Sequence, residues 1–159
     1  VKIDLNMKFR EVDGKTIPEL VVIEDKEGVR KVDPLGNFFM KRGRDLTLKI
    51  ACLNVLTNPP LEVDDRGNSR ELRGETKLAY AEFAQRIYKA DGLFEMSARE
   101  IVLLTRLIDK TYRSPLIYAQ ALETLDPHAA KEEERKREEA RKKEMAKQPP
   151  NGPSEQKRQ

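Results

Sequence analysis

The side chains able to do acid–base, nucleophilic or metal chemistry are few and scattered. His128 is the single histidine and Cys52 the single cysteine among 159 residues. Nucleophilic catalysis needs a base within hydrogen-bond reach of the nucleophile, and zinc usually takes four ligands. One cysteine and one histidine in distant segments supply neither. His128 opens a charged run, where a solvent-exposed imidazole is expected. Cys52 lies within the apolar stretch from Leu48 to Leu56 and reads as a small residue on a buried helix face. Only Lys49 stands near enough to lower its pKa, and a lone free thiol suits a reducing cytoplasm. Asp64, Asp65, Asn68 and Glu71 offer oxygen ligands, but without the alternation of a calcium loop, so a hydrated loop is expected. Gly43 and Gly74 are isolated, and neither phosphate-binding glycine pattern occurs. The expectation is a protein that is not an enzyme, with no catalytic residue, no metal and no cofactor.

Binding chemistry has more residues behind it. Phe38 and Phe39 stand beside Lys41, Arg42 and Arg44, and a second basic group comprises Arg135, Lys136, Arg137, Arg141, Lys142 and Lys143. These are the candidate interaction residues. Cations on phosphates with an aromatic stacked on a base would make a nucleic-acid surface. Charge distribution argues against it as the first choice. Residues 1–130 carry 21 basic and 21 acidic side chains, and the remainder 10 and 7, so the net charge of +3 lies wholly in the tail. There the basic triplets alternate with Glu132, Glu133, Glu134, Glu138 and Glu139, which weakens the local field. The short link at Arg113 and Ser114 permits a helix-turn-helix, but the helix after it offers only Tyr118, Gln120, Glu123 and Thr124 as polar readers.

The elements that must position these groups are legible from periodicity. Ile3, Leu5, Met7 and Phe9 alternate with polar residues, the pattern of a half-buried strand, and Asp13-Gly14 supplies a tight turn before an extended run from Ile17 to Ile23. Further extended pieces are expected at 29–32 and 37–40. From Asp45, taken as an N-cap, the period changes to that of a helix ending before Pro59 and Pro60. A polar loop spans 61–74. A second helix from Glu75 carries Leu78, Ala81, Phe83, Ala84, Ile87 and Tyr88 and stops at Asp91-Gly92. Ser97 and Glu100 have capping-box spacing ahead of Ile101, Leu104, Leu107, Ile108 and Tyr112, and Ser114-Pro115 starts a fourth helix running to Leu125. The fold class is therefore α+β: a small N-terminal antiparallel sheet or hairpin, then about four helices, forming a single domain over 1–126. Strands fall within 1–44 and helices within 45–126. A charged helical extension follows over 127–147, held by acid-first pairs such as Glu132–Lys136, Glu133–Arg137, Glu138–Lys142 and Glu139–Lys143. Residues 148–159 have too little apolar content to order alone. No internal repeat is evident. No window approaches a membrane span and the first residues have no leader character, so a cytoplasmic protein without membrane contact is expected.

The alternating strand with its Asp-Gly turn, Asp45-Leu-Thr-Leu-Lys49 opening an apolar helix, Phe83-Ala84 with Ile87-Tyr88, Glu100-Ile101 with Leu103-Leu104, and Ser114-Pro-Leu-Ile117 together resemble the small helical proteins of tailed phages and prophages. The likeness is one of layout over 1–126, with Pro18 to Arg44 standing as an insertion. Among such proteins the tail-assembly chaperones are the most similar in function. The resemblance implies a host-cytoplasmic, non-enzymatic protein whose partners are phage proteins such as the tape-measure or tail proteins. The alternative is a phage accessory protein that binds DNA or RNA through its basic segments.

Overall fold

The computed structural model describes residues 1–34, 37, 39–63, 67 and 69–147. The protein is α+β. Among the described residues three two-stranded antiparallel sheets form, from β1 (Lys2–Asp4) with β6 (Leu93–Glu95), β2 (Pro18–Val22) with β3 (Met40–Asp45), and β4 (Glu62–Val63) with β5 (Ser69–Arg70). Five helices among the described residues accompany them: α1 (Leu48–Thr57), α2 (Gly74–Lys89), α3 (Ala98–Thr111), α4 (Pro115–Leu125) and α5 (Pro127–Lys147).

The alternating N-terminal residues do bury one side. Ile3, Leu5 and Phe9 are inside and Met7 half-buried. They do not make one long strand, however, and their partner is not the following hairpin strand. The strand ends where the Asn6 amide donates to Asp4 Oδ1 at 2.9 Å. Its ladder is with β6, which places Ile3 opposite Phe94. Pairing extends on both sides, with the Met96 amide donating to the Val1 carbonyl at 2.8 Å and the Leu5 amide to Gly92 at 3.1 Å. The N-terminal segment thus closes over the connection between α2 and α3. Its apolar side meets Leu48, Ala51, Cys52 and Val55 of α1, Phe83 and Ile87 of α2, Leu104 and Ile108 of α3, and Ile117, Ala121 and Leu125 of α4 in one core.

Helix boundaries follow local chemistry. Thr47, two residues beyond the expected Asp45, caps α1 by accepting from the Ile50 amide at 3.3 Å. Asp45 is engaged elsewhere, accepting from Thr16 Oγ1 at 2.8 Å and from Lys8 Nζ at 3.0 Å. Those two hydrogen bonds, that from Lys8 being the stronger influence, hold its carboxyl below the usual range. In α2 only Phe83, Ala84 and Ile87 are buried, while Leu78 and Tyr88 face outward. Pro115 occupies the first turn of α4 as expected, although Ser114 makes no side-chain cap.

The α3 capping box forms in full. Ser97 Oγ accepts from the Glu100 amide, and Glu100 Oε2 accepts from the Ser97 amide at 2.7 Å. Arg86 joins from α2, pairing with Glu100 at 2.5 Å while its guanidinium lies over the rings of Phe83 and Phe94. Burial pushes the Glu100 pKa up, but the Ser97 amide, Arg86 and the Ser97 hydroxyl outweigh it and leave the carboxyl below its ordinary range. A carboxylate favoured in the folded state contributes stability above its unfolded pKa and loses it as pH falls through the folded value. Ser97→Ala removes one half of the box and is expected to cost about 1 kcal/mol in urea unfolding at neutral pH. Repeating the measurement across decreasing pH should show that penalty shrinking below about pH 4.3, the ordinary glutamate value, as Glu100 protonates.

Between Phe9 and Leu46 the backbone repeats one device. The Glu11 amide donates to Lys15 and the Gly14 amide to Glu11, at 2.8 and 2.9 Å. In the second instance Asp25 donates to Val29 and Gly28 to Asp25, at 2.9 and 3.1 Å. Gly14 and Gly28 take φ of +84° and +79°, a region open to glycine at no steric cost. Asp33 likewise donates to Asn37 at 2.8 Å, while residues 35 and 36 lie outside the described residues. Each of the two turns is sealed by residues eight apart, 9 with 17 and 23 with 31, and the same spacing joins 31 with 39. Two cyclic triads result. Phe9 donates to Leu46, Leu46 to Ile17 and Ile17 to Phe9, while Ile23 donates to Phe39, Phe39 to Lys31 and Lys31 to Ile23. A recurring turn is therefore present where side-chain patterning shows no repeat. The first triad is rooted in the core through Phe9 and Leu46. The second, at the far end of the β2–β3 ribbon, is not.

Candidate interaction surfaces

The segment that looked like an insertion is an arm. In the β2–β3 register Val22 faces Met40, Val21 faces Lys41 and Leu20 faces Arg42. Leu20, Val22, Met40 and Arg42 therefore share one side of the ribbon, and Val21 and Lys41 take the other. Neither side is covered. Leu20 is 62% exposed, Val29 58%, Phe39 49%, Val32 49% and Met40 45%. Isolated exposed leucines and valines are ordinary, but here Leu20 and Met40 share one side of the ribbon while Val29, Val32 and Phe39 lie beyond its paired strands, so exposed apolar side chains are concentrated on this arm.

Among the sequence-predicted residues, Phe39, Lys41, Arg42 and Arg44 are all exposed on this arm, and Phe38 lies outside the described residues. The basic stretch 41–44 is strand β3 itself rather than a segment following a strand at 37–40. Arg44 Nε pairs with Glu19 Oε2 across the ribbon at 3.2 Å. Among the described residues no ion pair engages Lys41 or Arg42.

The second basic group sits on α5. Asp126 Oδ1 caps that helix by accepting from the Ala129 amide at 3.0 Å. Its first turns lie along α4, with Ala129, Ala130 and Glu133 half-buried. There burial of the Tyr118 hydroxyl, aided by Glu133, pushes its pKa up. Twenty-one residues of helix span about 31 Å at the standard rise, roughly twice the length of the 11-residue α4, so the outer half projects from the body. Every described side chain from Glu134 to Met145 is exposed.

Pairing there follows expectation only in part. Lys136 meets Glu132 at 3.1 Å and Arg137 meets Glu133 at 3.4 Å, while Glu139 turns back to Arg135 at 3.9 Å instead of reaching Lys143. Glu138 and Lys142 form no pair among the described residues. Arg141, Lys142 and Lys143 are exposed on the outer turns. No hydrogen bond or ion pair among the described residues joins β3 to α5.

Elsewhere the chemistry-capable groups are placed as follows. Cys52 is fully buried and its thiol is pushed up to about 12 by that burial, far from a reactive thiolate. His128 is exposed. Glu71 pairs with Lys77 at 3.4 Å, and the expected loop ligands Asp64, Asp65 and Asn68 lie outside the described residues. Among the described residues no group of three or more His, Cys, Asp or Glu side chains is disposed to hold a metal, and no helix is long and apolar enough to cross a membrane. A cleft between Pro59, Leu72, Tyr80 and Leu107 encloses about 20 Å³, room for a single water.

Leu20, Val21, Val29 and Val32 are the surface residues that sequence reading missed. For Leu20 and Val21 the signal was present in composition, since a short two-stranded element with apolar residues on both sides has only one other strand to bury them, whereas Val29 and Val32 lie between β2 and β3, outside the paired strands. Family models, curated proteins and solved structures yield no match to this chain.

Proposed function

We propose that the protein is non-enzymatic and works by binding other proteins, through the β2–β3 arm and the projecting α5, as a tail-assembly chaperone or morphogenesis accessory of a phage or prophage. The observation that carries the binding role is the concentration of exposed apolar side chains on the arm, outside a core that is already closed. A two-stranded ribbon is marginal alone in water and gains most when something covers it. The phage assignment rests on the resemblance of layout described above, and the partner class it suggests is tape-measure or tail protein. Pairing of Arg44, Arg135, Lys136 and Arg137 with carboxylates speaks for protein rather than nucleic-acid partners.

The test is co-elution. Mixed with the products of its neighbouring genes, the full-length protein should form a complex on size-exclusion chromatography, and Leu20→Asp with Phe39→Asp should abolish it. Absence of any complex, together with salt-sensitive gel shifts of DNA or RNA, would replace this reading with nucleic-acid binding.

A further inference from the structure

The Ile23 amide donates to the Phe39 carbonyl at 2.8 Å, which fixes the phase of the β2–β3 ladder. Antiparallel pairs alternate between hydrogen-bonded and non-hydrogen-bonded positions. Val21 and Lys41 therefore face each other through hydrogen bonds, and the N–H and C=O groups of Met40 and Arg42 turn away from β2. Among the described residues no backbone or side-chain group meets them on that outer edge.

The same edge carries charge that no ion pair among the described residues engages. Lys41 and Arg42 are adjacent, so one lies on each side of the ribbon, and each is bordered by apolar groups: Met40, Leu20 and Val22 beside Arg42, and Val21 and Phe39 beside Lys41. An edge lysine or arginine ordinarily discourages strand pairing. It does so only against strands that bring apolar or basic residues opposite it, and selects for those that bring carboxylates.

We infer that the outer edge of β3 is a strand-addition site for an extended segment of a partner protein in which two adjacent carboxylate residues are flanked by apolar ones. The carboxylates meet Lys41 and Arg42 on opposite sides, the apolar residues cover Met40 and Phe39, and the partner backbone satisfies the groups of Met40 and Arg42. This inference rests on the protein-binding reading and names the chemistry of the partner.

The experiment uses the full-length chain and a capped peptide, Thr-Val-Ile-Glu-Glu-Val-Thr, with its Lys-Lys counterpart as control, followed by amide NMR. The Glu-Glu peptide should perturb and protect the Met40 and Arg42 amides, and the Lys-Lys peptide should not. Lys41→Glu with Arg42→Glu should weaken the first by roughly tenfold or more, since a favourable cross-strand pair becomes a repulsive one at two positions, and should let the second bind. Arg42→Pro removes an outward N–H that the ladder does not use, so it should abolish peptide binding while the Val21 and Ile23 amides stay protected.

Equal binding of both peptides, binding of neither, or indifference to both variants overturns the proposal. So does displacement of the peptide from these amides by a single-stranded oligonucleotide, or concentration-dependent self-association that Arg42→Pro abolishes, which would make the occupant nucleic acid or a second copy. If the partner complex survives both variants, the edge site fails and the protein-binding reading stands.

Discussion

Phe9→Ala is expected to lower the unfolding free energy by about 3–5 kcal/mol, the range for truncating a buried phenylalanine, enough to unfold much of a domain of ordinary stability. Phe9 is fully buried and ranks among the largest residues of the core. Its backbone adds to the effect. The amide donates to Leu46 at 3.1 Å and the carbonyl accepts from Ile17 at 2.9 Å, so the residue joins the first turn, the root of the arm and the entry to α1. A cavity there loosens three segments that are otherwise joined by the Leu46–Ile17 hydrogen bond and by the contacts of Asp45 with Lys8 and Thr16. Urea titration followed by far-ultraviolet circular dichroism measures the loss. Val12→Ala, three residues on and 90% exposed, should change stability by no more than about 0.5 kcal/mol. A Phe9→Ala penalty below about 1 kcal/mol would mean that the N-terminal segment only decorates the helices.

Much of this architecture was legible because its determinants are local. Ser97 and Glu100 announce the start of α3 by themselves, and Asp126-Pro127 announces α5, since cap and first turn are satisfied within four residues. What could not be read is the long-range pairing. Leu93, Phe94 and Glu95 are too few to show a period, and their partner strand lies some ninety residues earlier. Alternation in Ile3, Leu5 and Phe9 correctly marks a buried side but is silent on which strand lies beside it. Leu78 and Tyr88 misled for a related reason: helical spacing permits an apolar face wider than the neighbouring helices cover. Thr47 displaced Asp45 as the cap because Lys8 and Thr16 compete for the carboxylate, a competition set by tertiary structure. The candidate residues fared likewise. Lys41, Arg42 and Arg44 stood out by charge, but their meaning depends on being a strand with a free edge, and that follows from the register with β2 alone.

Gly43→Val is expected to open the arm and leave the body intact. Gly43 lies within β3, and a Cβ built there would stand 2.8 Å from Val21 Cγ2 and 3.1 Å from the Glu19 carbonyl oxygen. The first distance is closer than side chains tolerate. The second involves backbone, which cannot swing aside without disturbing the Arg44–Glu19 pair and the irregularity between Pro18 and Leu20. Overpacking of this kind costs about 1–3 kcal/mol. A two-stranded ribbon with little burial has local stability of about that size, whereas global unfolding of a domain costs several times more. The penalty therefore falls on the cheapest opening available. Hydrogen exchange should show amides of Val21, Ile23 and Lys41 losing most of their protection, while those of α1 and α3 and the urea midpoint stay within error of the parent protein. Co-elution with partner should be lost in the same variant, because β2 and β3 no longer hold Leu20, Phe39 and Met40 in one surface. Melting of the whole body together with the arm would show that residues 18–45 are integral to the fold, and the separation between a closed core and an outlying binding ribbon would fail.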